Sequence, residues 1–308
     1  MFTIAGQERR LEFVLKTLDA FHYEIAVDMK RIDSHQHFWQ YNPEEHKWMT
    51  DEMKDLKKDF MPGNLVPLLR QIEFNGSVAV QARQSLAETN WLLKLAREND
   101  FIKGIVGWVD LLSPDIQEQL SKYVNEEKLV GVRHVVHDEA DDNFMLRPAF
   151  INGIAALKEF NLTYDLLLFP KHLPVALKLV RMFTEQPFVV DHIAKPFIRK
   201  KEFSPWKEDL KELATFPNVY CKLSGLVTEA SWNDWQEDDL KQYLDIVTEA
   251  FGTNRLMIGS DWPVCTLSAN YVSTMDVVLN YTGQFQKESV DAILGGNCLD
   301  FYKIIGCK

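Results

Sequence analysis

A single parallel (β/α)8 barrel of the TIM type is the fold class that this sequence predicts, and three observations predict it. Short apolar runs, rich in β-branched residues, recur eight times after residue 31, with starts about 25 to 45 residues apart, the size of one strand–helix unit. Several runs are apolar on both faces, as in Leu166-Leu167-Leu168-Phe169, which suits a parallel sheet covered by helices. No linker or low-complexity segment divides the 308 residues, so one large barrel is favoured over two ordinary domains. The expected organisation is an N-terminal helical extension at 1–28 and a barrel over 29–308.

Residues 1–28 place Leu11, Val14, Leu15, Leu18 and Phe21 at helical spacing, which predicts one amphipathic helix ahead of the barrel. The eight expected strands are 32–35, 77–82, 105–109, 130–134, 164–169, 188–191, 219–222 and 256–259. Between them, 88–99 carries Trp91, Leu92, Leu95 and Ala96 on one helical face, and 147–160 carries Phe150, Ile154, Leu157 and Phe160. Ser113-Pro114 reads as an N-cap followed by proline at the first helical position. Helices over 173–183, 206–216 and 236–251 complete the series. The longest insertion, 40–61, follows the first strand and carries Trp48, Met49, Lys57 and Lys58. It is expected over the C-terminal face of the barrel, as a lid or substrate wall.

Composition narrows the function classes. A hydrophobic content of 46% with 26% charged residues describes an ordered globular chain. The net charge of −11 argues against a nucleic-acid partner, because phosphate binding needs concentrated Lys and Arg. No run of about 18 apolar residues is present, so no membrane span is expected. Glu8, Arg9 and Arg10 interrupt any signal-peptide core. Cys221, Cys265, Cys298 and Cys307 form no C-x-x-C pair and read as reduced thiols of a cytoplasmic protein.

Reacting groups in such barrels collect at the C-terminal ends of the strands. His35 and His37 lie two apart at the first such end, so alternation puts both on one side of the strand. Two imidazoles there suit a metal or a polar catalytic site. The other ends carry Gln81 and Arg83, Trp108 and Asp110, Arg133 and His134, Asp191 and His192 followed by Lys195, then Lys222, Ser224 and Asp261. Tyr164 and Asp165 open the fifth run. His22, His46, His134, His137 and His172 stand in weaker contexts and read as structural.

The set His35, His37, His192 and Asp261 resembles the amidohydrolase superfamily, whose members carry His-x-His on strand one, further histidines on strands five or six, and Asp on strand eight. The segments Ile32-Asp-Ser-His-Gln-His-Phe-Trp39, Gly131-Val-Arg-His134, Val190-Asp-His-Ile-Ala-Lys-Pro196, Gly259-Ser-Asp-Trp-Pro263 and Ile293-Leu-Gly-Gly-Asn297 are similar to its sugar-lactonase branch. That branch includes L-fuconolactonase, L-rhamnono-lactonase and, more distantly, 2-pyrone-4,6-dicarboxylate lactonase. The resemblance spans residues 30–305.

The resemblance implies a hydrolase that opens a small sugar-acid lactone. Asp261 is then the base that takes a proton from the attacking water and returns it to the departing alkoxide. Read without the resemblance, Asp261 would cap the next helix. His35, His37 and His192 would polarise the carbonyl, directly or through a bound divalent ion. Gln81, Arg83, Trp108, Arg133, Tyr164 and Lys195 are the candidate substrate contacts. Binuclear members place a carboxylated Lys or a Glu at the end of strand four, and Val-Gly-Val-Arg-His-Val-Val offers neither here. At most one ion, Zn2+ or Mn2+, is therefore expected between His35, His37 and Asp261. The branch varies in its need for metal, so that need stays open, and a homo-oligomer is compatible with it.

Arg83, Arg133, Lys195 and Lys222 do not all fall in matching registers, which favours a neutral sugar lactone over a dicarboxylate. Two enzyme alternatives remain at this point: a metal-dependent decarboxylase of the same superfamily, and a 2-pyrone-4,6-dicarboxylate-type lactonase. A non-enzymatic binding protein on the same barrel would have lost a strand-end His or Asp, and none is lost.

Overall fold

The structure, a computed structural model, describes residues 31–304. The helix expected over 1–28, His22 and Cys307 lie outside the described residues. The strands are β1 (Ile32–Gln36), β2 (Gly76–Val80), β3 (Ile102–Gly107), β4 (Leu129–His134), β5 (Thr163–Leu166), β6 (Phe188–Val190), β7 (Val219–Leu223) and β8 (Leu256–Ile258). Each is parallel to the next in sequence order. The ring closes where Gln36 bridges Trp262. There the amide of Asp261 donates to the His35 carbonyl at 2.8 Å, and that of His37 to the Trp262 carbonyl at 2.6 Å. The expected barrel is therefore the observed one.

Around it run α1 (Pro62–Gln71), α2 (Leu86–Glu98), α3 (Ile116–Ser121), α4 (Pro148–Leu157), α5 (Leu173–Met182), α6 (Trp206–Leu213), α7 (Leu226–Glu229), α8 (Glu237–Phe251), α9 (Tyr271–Thr282), α10 (Lys287–Asp291) and α11 (Asn297–Phe301). Two expectations need correction. Ser113 does not cap a helix; its hydroxyl accepts from the Asp115 amide in a turn, and α3 starts only at Ile116. Helices α1, α7, α9, α10 and α11 were not expected. Pro62, Gly63, Asn64 and Pro67 make α1 read as a loop, although Pro62 stands at a first-turn position where its missing N–H costs nothing. Helix α9 begins after Asn270, whose side chain accepts from the Ser273 amide at 2.9 Å. Among the described residues, no helix is long and apolar enough to cross a membrane.

Strand alternation sorts the barrel interior into layers. Ile32, Val78, Val80, Val106, Val130, Val189 and Met257 pack together at one end, where Cys298 and Phe301 of α11 and the following Tyr302 plug the barrel. Phe188, Val190, Cys221, Leu223, Leu256 and Ile258 belong to the larger core with the helices. Two residues further along the inward-facing positions, the interior turns ionic: Asp191 follows Val189, and Lys222 follows Tyr220. The pairing of β1 on β2 slips between Asp33 and Gln36, a bulge under the strand end that carries His35.

Candidate active site

His35, His37, His192 and Asp261 meet at the C-terminal end of the barrel. Asp261 Oδ1 lies 3.3 Å from His37 Nε2 and 3.8 Å from Nε2 of both His35 and His192. His35 and His37 bring their Nε2 atoms to 3.1 Å of each other. The backbone is bent to achieve this. Asp261 has φ 56°, and His192, Ile193, Ala194 and Lys195 all lie at φ between 48° and 60°. Left-handed backbone costs a non-glycine residue roughly 1–2 kcal/mol, so the surroundings must enforce it. The Trp206 indole donates to the Ile193 carbonyl at 2.7 Å, Ser224 Oγ meets His192 Nδ1 at 2.9 Å, and Lys195 Nζ binds Glu229 at 2.9 Å. Gly225 lets this turn fit, because a Cβ there would come within 2.7 Å of the His192 ring. Gly259 likewise clears His35, whose Cβ would be 2.9 Å away.

Asp33 braces the β1–β8 seam. Its carboxylate accepts from the Ser260 amide at 2.9 Å, the Ser260 hydroxyl at 2.6 Å, the Tyr271 hydroxyl at 3.2 Å and the His35 amide at 3.2 Å. Burial pushes the Asp33 carboxyl up to about 6 against the pull of the Ser260 bonds. At Asp261 burial also pushes upward, but His192, His37 and Lys195 outweigh it and hold the carboxyl below the usual range. Burial holds the His192 imidazole well below its ordinary value, against the opposing charge of Asp261. A base that stays ionised beside a neutral His192 imidazole is what proton removal from water requires.

Beneath this lies a buried ionic layer, in which Lys222, Asp165 and Asp191 are fully enclosed and Arg133 reaches the cavity. Lys222 Nζ binds Asp165 and lies 3.0 Å from Asp191 Oδ1. Arg133 donates to Asp191 Oδ2 at 3.1 Å and to the Gln81 carbonyl. Tyr302 donates to Asp165 Oδ2 at 2.8 Å. Burial raises the Asp165 carboxyl to about 6 despite Lys222. Burial would also raise Asp191, but Lys222, His35 and Arg133 outweigh it and hold that carboxyl well below the usual range. Burial holds His35 well below its ordinary value, against the opposing Asp191.

Above the reacting set opens a cavity of about 630 Å³, lined in part by His37, His192, Asp261, Arg83, Arg133 and Lys195. The 40–61 insertion forms one wall: Glu45, Trp48 and Met53 face the cavity, and Trp39 pairs with Phe60 through two backbone bonds of 2.9 and 3.0 Å. Each cation has its own carboxylate. Arg83 meets Glu45 and Glu88, Arg133 meets Asp191, and Lys195 meets Glu229.

Not every expected contact lines this cavity. Gln81 is fully buried, with its amide on the Arg133 carbonyl. Trp108 turns its indole N–H to His134 at 3.4 Å. Tyr164 faces the helices, edge-on to Phe150 at 5.8 Å and Phe188 at 6.2 Å. Its neighbour Asp165 takes the inward position, since successive strand residues point to opposite faces. His35 is fully buried behind the cavity surface. His137, read as structural, lines the cavity with Asp138 from the turn after β4. His134 is held by Glu139 at 2.7 Å, and His172 accepts from the Phe169 amide at 3.1 Å. The sequence assigns no role to Asp33, Asp165, Asp191 or Glu229, and weighs Lys222 only as one of four scattered cations. A lone charge inside an apolar run, such as Lys222 in Val-Tyr-Cys-Lys-Leu, was the available signal, because such charges are almost never buried unpaired.

Among the described residues two triads could hold a metal ion: His35, His37 and Asp261, and His35, Asp191 and His192. The first fits one ion. Its three donor atoms are 3.1, 3.3 and 3.8 Å apart, close to the roughly 3.3 Å edge of a tetrahedron with bonds of about 2.0–2.1 Å. Two imidazoles and a carboxylate are also a zinc donor set.

A parallel barrel with histidines and an Asp converging at its C-terminal mouth defines a class of barrel hydrolases. The chain matches the amidohydrolase family model over residues 32–304 and belongs to that family. It is 38% identical over 285 residues to an L-fucono-1,5-lactonase of Burkholderia multivorans, covering 89% of this chain and 96% of the relative. It is 35% identical over 281 residues to an L-fucono-1,5-lactonase of Burkholderia ambifaria, with the same two coverages, 89% and 96%. A crystal structure of an amidohydrolase from Burkholderia multivorans with bound zinc superposes with a TM-score of 0.86 at 38% identity, covering 89% of this chain and 99% of that one. A 2,6-dihydroxybenzoate decarboxylase from Rhizobium, at 12% identity and TM-score 0.64 over 90% of this chain and 99% of that one, shares the fold.

Proposed function

We propose that this chain hydrolyses the ester bond of a small neutral sugar-acid lactone, of the L-fucono- or L-rhamnono-lactone type. One observation carries the reading: the ionised Asp261 carboxylate opens into the cavity within 3.8 Å of three imidazoles. Asp261 takes the proton of the attacking water and returns it to the departing ring oxygen. His37 and His192, which face the cavity, and Arg133 beside them stabilise the negative charge that develops on the carbonyl oxygen. The pairing of Arg83, Arg133 and Lys195 with carboxylates supports a neutral ligand, because a dicarboxylate would call for unneutralised cations. Trp48 supplies an aromatic wall against which a sugar ring can lie.

His35, His37 and Asp261 are the residues that would hold a divalent ion, and the zinc-bound neighbour supports this. A bound ion would add Lewis-acid polarisation and a more acidic water. The test is a pH-indicator screen of aldonolactones, run with and without chelator, alongside metal analysis. Acid release from an L-fucono- or L-rhamnono-lactone is expected, with at most one ion per chain. CO2 release from an aromatic acid, with no lactone turned over, would overturn the reading. Two tightly held ions per chain would overturn the single-ion site.

A further inference from the structure

The turn after β4 brings two polar side chains to the cavity that neither the proton transfer nor the oxyanion uses, His137 and Asp138. Asp138 Oδ1 lies 2.9 Å from His137 Nδ1, and the His137 ring packs on Phe169 with centroids 4.8 Å apart. The Asp138 carboxylate does not close its own turn. Backbone bonds do that, from the Asp138 amide to the Val135 carbonyl at 3.3 Å and from the Glu139 amide to the Val136 carbonyl at 3.1 Å. Gln84 Oε1 anchors the start of the turn by accepting from the Val135 amide at 2.9 Å. Other loop aspartates behave differently. Asp110 accepts from the Leu112 amide and Asp141 from the Asn143 amide, each at 3.0 Å, as aspartates in turns commonly do. Among the described residues no backbone amide donates to the Asp138 carboxylate, so its remaining acceptor sites belong to the cavity that it lines.

Lys195 lines the same cavity from the turn after β6. Its backbone is fixed at φ 48°, with the Lys195 amide donating to the His192 carbonyl at 2.8 Å. An ammonium carries three N–H donors, and Glu229 takes one of them at 2.9 Å. Lys195 also adds to the larger effect of His137 in holding the Asp138 carboxyl below its ordinary range. Yet no ion pair joins Lys195 and Asp138 among the described residues. An anion and a cation therefore share one cavity without meeting.

We propose that Asp138 and Lys195 form a hydroxyl-binding subsite, in which free hydroxyls of the lactone donate to the Asp138 carboxylate and accept from the Lys195 ammonium. The charges select the ligand group. A carboxylate would be repelled by Asp138 and Glu229, and an ammonium by Lys195. A methyl group would strip water from both charges and return no hydrogen bond. A hydroxyl both donates and accepts, so it satisfies the two sides together. Asp138 is thus a specificity-determining residue that favours a polyhydroxylated lactone over a bare one, and His137 anchors its carboxylate. The inference rests on the lactonase reading for the nature of the ester, and it adds which part of the substrate the β4 side of the cavity reads.

The test is a selectivity ratio. Acid release gives kcat/KM for L-fucono-1,5-lactone and for unsubstituted δ-valerolactone. In folded Asp138→Ala the ratio of the two values should fall about ten-fold, the lower end for a hydrogen bond to a charged group, because Asp138 is more than half exposed. The fall should lie mainly in KM of the hydroxylated lactone. Asp138→Asn keeps an acceptor oxygen without the charge, so its ratio should lie between those of wild type and Asp138→Ala. An unchanged ratio, including equal losses on both lactones as a merely structural role would give, overturns the subsite. If neither lactone is turned over, the proposed function falls, and binding reads the subsite separately. NMR titration would then compare the δ-lactam that carries the hydroxyls of L-fuconolactone with bare 2-piperidone. The wild-type chain should prefer the hydroxylated lactam, and Asp138→Ala should lose about ten-fold of that preference. A wild-type chain without the preference, or a folded variant that keeps it whole, overturns the inference.

Discussion

The barrel interior holds two layers built from the same strands and separated by two residues. On β6, Val189 belongs to the lower layer and Asp191, just past the strand end, to the upper; on β7, Tyr220 and Lys222 stand in the same relation. The lower layer is apolar and closed by Phe301 and Tyr302. The upper layer buries charges and closes only by pairing them. Burial of apolar surface stabilises wherever it occurs, whereas a buried ion pair at best offsets its own desolvation. The lower layer therefore holds the barrel together, and the upper one uses part of that stability to hold reacting groups in place.

Substitutions in the two layers should separate accordingly. The largest effect is expected at Asp261. Asp261→Asn keeps size and most hydrogen bonds but cannot take a proton, so kcat should fall roughly 10²–10⁴-fold. Binding of an unreactive lactone analogue, measured by calorimetry, should stay within a few fold. Near-normal turnover by the folded variant would remove Asp261 from the chemistry. His192→Asn should lower kcat by about 10²–10³-fold, and the two losses need not multiply, since the groups act as one unit.

Met257→Ala, in the lower layer, should show the converse. A fully buried Met cut to Ala loses about 2–5 kcal/mol of stability through the cavity left behind. Denaturant titration measures that loss, and kcat of the folded fraction should change little. A loss of kcat without a loss of stability would erase the distinction between the layers.

Glu88 tests the comparison on the flank of the site. Its buried carboxylate accepts from the Ala82 amide at 3.2 Å and from the Arg83 amide, and so shapes the cavity wall. Burial pushes it up to about 7 from an ordinary 4.5, against the opposing charge of Arg83. Because the folded value lies above the unfolded one, the native state holds more protons across that window. The contribution of Glu88 to stability should therefore fall as pH rises from about 4.5 to about 7, by up to about 3 kcal/mol. Relative to Glu88→Gln, the wild-type chain should be more stable at pH 5 than at pH 8 in urea titrations. Parallel curves would contradict a raised Glu88.

The smallest effect is expected at the rim. Glu45 is half exposed and pairs with Arg83 across the cavity mouth. Exposed pairs contribute about 0.2–1 kcal/mol, so Glu45→Gln should move KM by no more than about five-fold and leave kcat unchanged. A large fall in kcat would make the rim part of the reacting set.

Much of this was legible in the chain because it is local. Strand period, β-branched composition and strand ends depend on a few neighbouring residues, and all eight strands overlap the expected runs, although β3 starts three residues before its run and β5 ends three residues before the end of its own. His35 and His37 share a side for the same local reason. Failures arose where one step of parity or a distant partner decides. Tyr164 and Asp165 are adjacent, yet one packs on helices and the other on Lys222. Trp108 and Gln81 stand at strand ends but turn to His134 and to the Arg133 carbonyl.

By itself, then, the sequence determined the barrel, the side of β1 that bears the imidazoles, and the presence of an Asp at the end of β8, since each follows from short-range periodicity and motif. Only the tertiary structure decided which charges are paired. Lys222 meets His35 across 187 positions of chain, and Ser260 meets Asp33 across 227. Those partners are brought together by closure of the ring between β8 and β1, and no local signal specifies a contact that exists only once eight strands have closed.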